Sequence, residues 1–149
     1  MAGRDRSALQ AALAAEHAAI YGYGVVGAYL TGPLEQAAQR DWAAHQVARD
    51  TLESRLASLG AQPVAAQDAY RLPFPVRGGR AAVSLAAFLE DRVATAYLGL
   101  VALDDPSLRA WGARQVRESA VRATSWSGRT TAFPGFPGRP PADITPISG

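Results

Sequence analysis

Glu16 stands where an apolar side chain is expected. Leu9, Leu13, Glu16, Ile20, Tyr23, Gly27 and Leu30 are spaced by alternating steps of four and three, which puts them on one helical face. A carboxylate on a core-facing stripe is costly unless something pairs with it. Each later helical segment carries such partners: His45 and Arg49, then Glu90, then Glu118 with Arg122. His45 and Arg49 precede Leu52 and Leu56 by seven residues each, so they share that apolar face. Glu90 lies on the face of Val83, Ala87, Ala94, Tyr97 and Val101. Glu118 and Arg122 form an i, i+4 pair.

Three arrangements fit this set. One is a carboxylate-bridged metal centre inside a helical bundle, which takes a Glu from each of two helices and a Glu-x-x-His from each of the other two. The chain departs from that signature. Three residues before His45 is Trp42, with Asp41 four before; three residues after Glu118 is Val121, with Arg122 four after. A two-metal centre is disfavoured, and no cofactor is expected. The alternative is a single iron or manganese on Glu16, His45, Glu90 and Glu118, serving a redox enzyme. The second arrangement, which we favour, is a buried network in which Glu16, Glu90 and Glu118 are neutralised by Arg49, Arg122 and His45. Removing one member of such a network costs about 3–5 kcal/mol. A third arrangement is a small-molecule pocket lined by these groups, with hydroxyls from Tyr21, Tyr23 or Tyr97.

Other chemistries are poorly supplied. The chain has no Cys, which excludes disulfides, thiolate catalysis and Cys-ligated metal. Gly22-x-Gly24-x-x-Gly27 matches a dinucleotide pattern as a string, but it lies within a helix and follows no strand. His17 reads as a surface residue within stacking reach of Tyr21. The 15 basic residues are all Arg and are spread along the chain, and the net charge is only +2, so no nucleic-acid surface is expected. No stretch resembles a membrane span or a signal core. The default is a cytoplasmic protein.

These side chains need four long helices to position them. At 149 residues the chain makes one domain. The first helix is expected over 7–30 with Ser7 as N-cap, and Gly24 and Gly27 offer close helix contact. The second is expected over 33–59 with Gly60 as the stop. The third spans 80–103 and is apolar nearly all round, a candidate homodimer surface together with the glycine-lined part of the first. Asp105-Pro106 reads as the N-cap and first turn of the fourth, over 106–127. Its apolar residues, Leu108, Trp111, Val116, Val121 and Trp126, make no single stripe.

Residues 61–80 form a long connection, extended at Leu72-Pro73-Phe74-Pro75-Val76. The second helix is roughly 40 Å long at ~1.5 Å per residue. An extended connection of this length can run back along it and start the third helix parallel to it. The expected organisation is therefore an all-α four-helix bundle over 1–128, with a long crossover between helices two and three. Residues 129–149 make a Pro/Gly-rich tail, with Phe133 and Phe136 packed on the bundle and the last eight residues mobile.

Several runs resemble an actinobacterial family of ferritin-like proteins of unknown function. They are Ala15-Glu16-His17-Ala18-Ala19 with Tyr21 and Tyr23, His45 to Leu52, Tyr70 with Leu72-Pro73-Phe74-Pro75-Val76, Leu89-Glu90-Asp91 with Tyr97, Arg117-Glu118 through Arg122 to Trp126, and Phe133-Pro134-Gly135-Phe136-Pro137-Gly138. Together they span nearly the whole chain. The resemblance implies a four-helix ferritin-like fold and supplies no activity. The missing Glu-x-x-His pair argues against iron storage and oxidase chemistry.

Overall fold

The computed structural model describes residues 2–131, with side chains to residue 128, and residues 144–147. Four long helices carry the fold: α1 (Ala2–Ala28), α2 (Gly32–Ser58), α3 (Gly79–Val101) and α4 (Pro106–Thr131). Two short strands, β1 (Tyr70–Arg71) and β2 (Thr145–Pro146), pair antiparallel. No described helix is long and apolar enough to cross a membrane.

The core falls into two apolar clusters. One gathers Leu9 and Leu13 of α1, Leu52 and Leu56 of α2, Tyr97 and Leu100 of α3, and Leu108 and Trp111 of α4. The other gathers Tyr23 and Val26, then Ala37 and Ala38, then Val83 and Leu85, and finally Trp126. Chain order between the clusters gives the direction of each helix. The helices α2 and α3 both run from the second cluster to the first, so they are parallel, and α1 and α4 run the opposite way. The connection between α2 and α3 therefore crosses the length of the bundle, as its extended composition requires. Glu16, His45 and Glu90 are all buried; His45 and Glu90 lie between the clusters in sequence on their helices, and Glu16 lies within the α1 part of the first, between Leu13 and Ala19.

Helix ends follow local chemistry. Gly60 takes φ +66 just past α2, a left-handed conformation that costs glycine nothing. Asp105 caps α4, its Oδ1 accepting from the backbone N–H of Ser107 at 2.7 Å and of Leu108 at 3.1 Å. The start of α1 differs from expectation. The helix begins at Ala2, and Ser7 lies inside it with its hydroxyl donating to the Gly3 carbonyl four residues back at 3.0 Å. The close approach also falls elsewhere. A Cβ on Gly22 would sit 2.6 Å from a Leu89 methyl, whereas Gly24 and Gly27 have open space beside them. Gly22 lets α1 and α3 approach, and the other two glycines do not.

A ladder of α1 side chains fastens the crossover. The Arg6 guanidinium donates to the Leu59 carbonyl at 2.7 Å. The Gln10 amide donates to the Gln62 carbonyl at 2.7 Å and accepts from the Val64 N–H at 2.8 Å. The His17 Nε2–H donates to the Val64 carbonyl at 2.9 Å. His17 is thus buried rather than on the surface, because the crossover covers that side of α1. Tyr21 packs against Tyr70 of β1, with ring centroids 5.5 Å apart, and not against His17. Thr145 and Pro146, within the stretch expected to be mobile, are held by pairing with β1, and the Ile147 N–H donates to the Ala69 carbonyl at 3.1 Å. Phe133 and Phe136 lie outside the described residues.

Candidate functional site

His45 is the centre of the polar layer. Its Nδ1–H donates to Glu16 Oε2 at 2.6 Å and its Nε2–H to Glu90 Oε1 at 2.8 Å. Two ionised carboxylates can only accept, so an imidazole held between them carries both protons and a positive charge. Burial opposes that charge, but the hydrogen bonds and charges of Glu16 and Glu90 outweigh it and raise the pKa to about 9. One side chain on α2 thereby ties α1 to α3.

Each carboxylate has further donors. The Tyr97 hydroxyl donates to Glu16 Oε1 at 2.7 Å. Glu90 Oε1 also accepts from the Tyr23 hydroxyl at 2.6 Å and from Arg122 Nε at 3.0 Å. Burial pushes the Glu90 carboxyl up, but the hydrogen bond and charge of His45, with the charge of Arg122, bring it below its usual value. Both tyrosines are pushed above the usual phenol value by burial and by the carboxylate each faces. Glu90 Oε2 is buried and finds no hydrogen-bond partner among the described residues.

Besides Arg122, a second link to α4 runs through residues not expected in the network. Trp126 Nε1–H donates to Asp41 Oδ2 at 2.8 Å, and the Tyr23 hydroxyl lies 3.4 Å from the same oxygen. Asp41 is half-buried; burial and the charge of Glu90 outweigh Trp126, Arg122 and His45 and raise its pKa. Asp41 precedes His45 by four residues, so helical spacing already put the two on one face. Trp126 carried no signal of its own beyond its type. The layer thus holds three carboxylates (Glu16, Asp41, Glu90) against two cations (His45, Arg122).

Of the six residues expected in the network, the fold brings Glu16, His45, Glu90 and Arg122 together. Arg49 and Glu118 lie elsewhere. Arg49 turns to its neighbour Asp50, with Nε donating to Oδ1 at 2.8 Å, and it is 30% exposed. Two and three turns beyond His45 that face of α2 is filled by Leu52 and Leu56 of the apolar core, and the long Arg49 chain takes its charge out to Asp50 and water instead. Glu118 is exposed. The buried row of α4 runs through Leu108, Trp111, Ser119, Ala123 and Trp126, so Ser119 and not Glu118 faces inward. The charge of Glu118 still reaches Tyr97, though only as its weakest influence. Tyr23 and Tyr97 serve as hydrogen-bond donors inside the layer, and Tyr21 stands apart on Tyr70.

Four helices with a crossover between the second and third have the ferritin-like fold. The solved structure of a ferritin-like, diiron-carboxylate protein from Bacillus anthracis str. Ames is similar in fold, with a TM-score of 0.70 at 16% identity over 84% of this chain and 94% of that one. The chain belongs to the family described as a domain of unknown function (DUF4439), which it matches over residues 8–138. A conserved hypothetical protein, rv2844, from Mycobacterium tuberculosis is 33% identical, with a TM-score of 0.82 over 85% of this chain and 97% of that one. No curated protein matches the chain.

The diiron neighbour raises the question of whether the residues here could hold two irons. They do not fit. Both imidazole nitrogens of His45 are spent on carboxylates, leaving no lone pair for a metal. A guanidinium lies against Glu90 Oε1, which leaves only Oε2 of that carboxylate without a partner among the described residues. Among the described residues no three carboxylate or imidazole donors are arranged to hold a metal ion.

Proposed function

We propose that this protein is a non-catalytic ferritin-like bundle, serving in binding or as a structural element, in which an internal ion-pair network replaces the di-metal centre. The observation that carries the reading is the imidazolium of His45 held between Glu16 and Glu90 at 2.6 and 2.8 Å. A cation supplied by the chain itself takes the central position and neutralises Glu16 and Glu90. Arg122 supplies the second positive charge at 3.0 Å from Glu90. A cytoplasmic, actinobacterial homodimer is the setting we propose for it.

The rival is a mononuclear iron or manganese enzyme on Glu16, His45, Glu90 and Glu118. One observation favours it: Glu90 Oε2 is buried and unpartnered. A single oxygen is a weak ligand set, and Glu118 is out on the surface. Metal analysis of protein purified without a metal-chelating tag separates the two readings. Sub-stoichiometric metal, unchanged in Glu16→Ala, supports the network. Near-stoichiometric iron or manganese, lost in Glu16→Ala, overturns it.

A further inference from the structure

A cavity of about 320 Å³ lies away from the polar layer, between α1, α3, the crossover and β2. Its α1 wall is made of Ala14, Ala15, Ala18 and Ala19, and α3 adds Ala96 beside Leu89. Five alanines where two helices and a strap meet leave space that larger apolar residues would fill. The opposite wall is crossover chain from Val64 onward, fastened to α1 by Gln10 and His17. Val64 is 38% exposed, and Ala14 and Thr95 are exposed, so the cavity opens to solvent at its rim. Its size is at the lower end of small-molecule sites, roughly 300–1,000 Å³.

The polar lining decides the ligand class. Arg92, Thr95, Gln67 and Tyr70 are the residues of the lining with polar side-chain groups, and it holds one cation and no carboxylate. Arg92 already lies 6.0 Å over the Phe88 ring and has a further partner within the chain. A guanidinium carries five N–H donors, so it can be shared. We propose that this cavity is a binding site for a small amphipathic carboxylate, its apolar body against the alanines and its head at Arg92, since the Thr95 hydroxyl donates to the Asp91 carbonyl at 2.9 Å. The site adds a ligand to the binding role proposed above, but it does not depend on the network, and the two fail in different experiments.

The test is titration of the full chain with octanoate and with 1-octanol, followed calorimetrically. The expected result is saturable octanoate binding to one site per chain. Ala96→Leu and Ala15→Leu, each checked for wild-type helicity and melting, should weaken it by about tenfold or more. Arg92→Gln should weaken octanoate binding while leaving that of 1-octanol unchanged. The proposal is overturned if octanoate does not saturate, if both folded leucine variants bind as wild type does, or if Arg92→Gln leaves octanoate unaffected. If one leucine variant fails to fold, the other decides.

Discussion

Raising the pH through about 9 should discharge the imidazolium that joins Glu16 to Glu90, and the fold should weaken as it does. The folded-state value lies above the 6.5 of an unperturbed imidazole, so the folded protein binds this proton more tightly than the unfolded chain. The contribution is therefore fully present below pH 6.5 and is lost as pH rises through about 9. The gap between those values corresponds to about 3 kcal/mol. For a domain of this size that is a fall of roughly 6–12 °C in Tm. The assay is urea or thermal unfolding from pH 6 to pH 10, on wild type and His45→Gln. Tyr23 and Tyr97, held above the usual phenol value by burial, ionise around pH 10 in the unfolded chain, so the difference between wild type and His45→Gln, in which their contribution cancels, is the quantity read. His45→Gln should be less stable at pH 6 and should lack this fall. Parallel curves for the two proteins would refute the reasoning, because the lost stability would then belong to other groups.

Arg49→Ala and Glu118→Ala should each stay within about 0.5 kcal/mol of wild type in urea unfolding, since both side chains lie outside the layer. Glu16→Ala should cost about 3–5 kcal/mol in the same assay, since it strands the charge on His45. Gly22→Ala should lose about 1–3 kcal/mol by crowding Leu89, whereas Gly24→Ala should gain up to about 1 kcal/mol; paired melting curves check both. Glu90→Gln should lower the pKa of His45, because one of its two carboxylates becomes neutral; an NMR titration of the ring protons reads the change.

The fold was legible because its signals are periodic and local. The stripe of α1, Gly60 after α2, the Asp105-Pro106 start of α4 and the Pro-rich crossover each point to one geometry. The centre of the site was legible for the same reason: Glu16, His45 and Glu90 lie at core-facing positions of strongly patterned helices. The failures fall where that pattern is weak. The inward row of α4 passes through Gly112, Ser119 and Ala123, which carry little hydrophobic signal, so its phase was misread and Glu118 was turned inward in place of Ser119. Arg49 shares a face with His45 by spacing alone, but a long side chain can leave that face for a neighbour such as Asp50. The burial of His17 depends on a crossover that is remote in sequence, and the pairing of β2 with β1 joins segments some 75 residues apart. Neither leaves a local trace.

His45 sits between two carboxylates as a doubly protonated cation. Long-range proton–nitrogen NMR on ¹⁵N-labelled protein near neutral pH reads its two ring nitrogens directly. Both nitrogens should carry a proton, with shifts unchanged by added ferrous iron or manganese. A ring nitrogen without a proton, or one whose resonance moves or broadens with either metal at one equivalent, would contradict it.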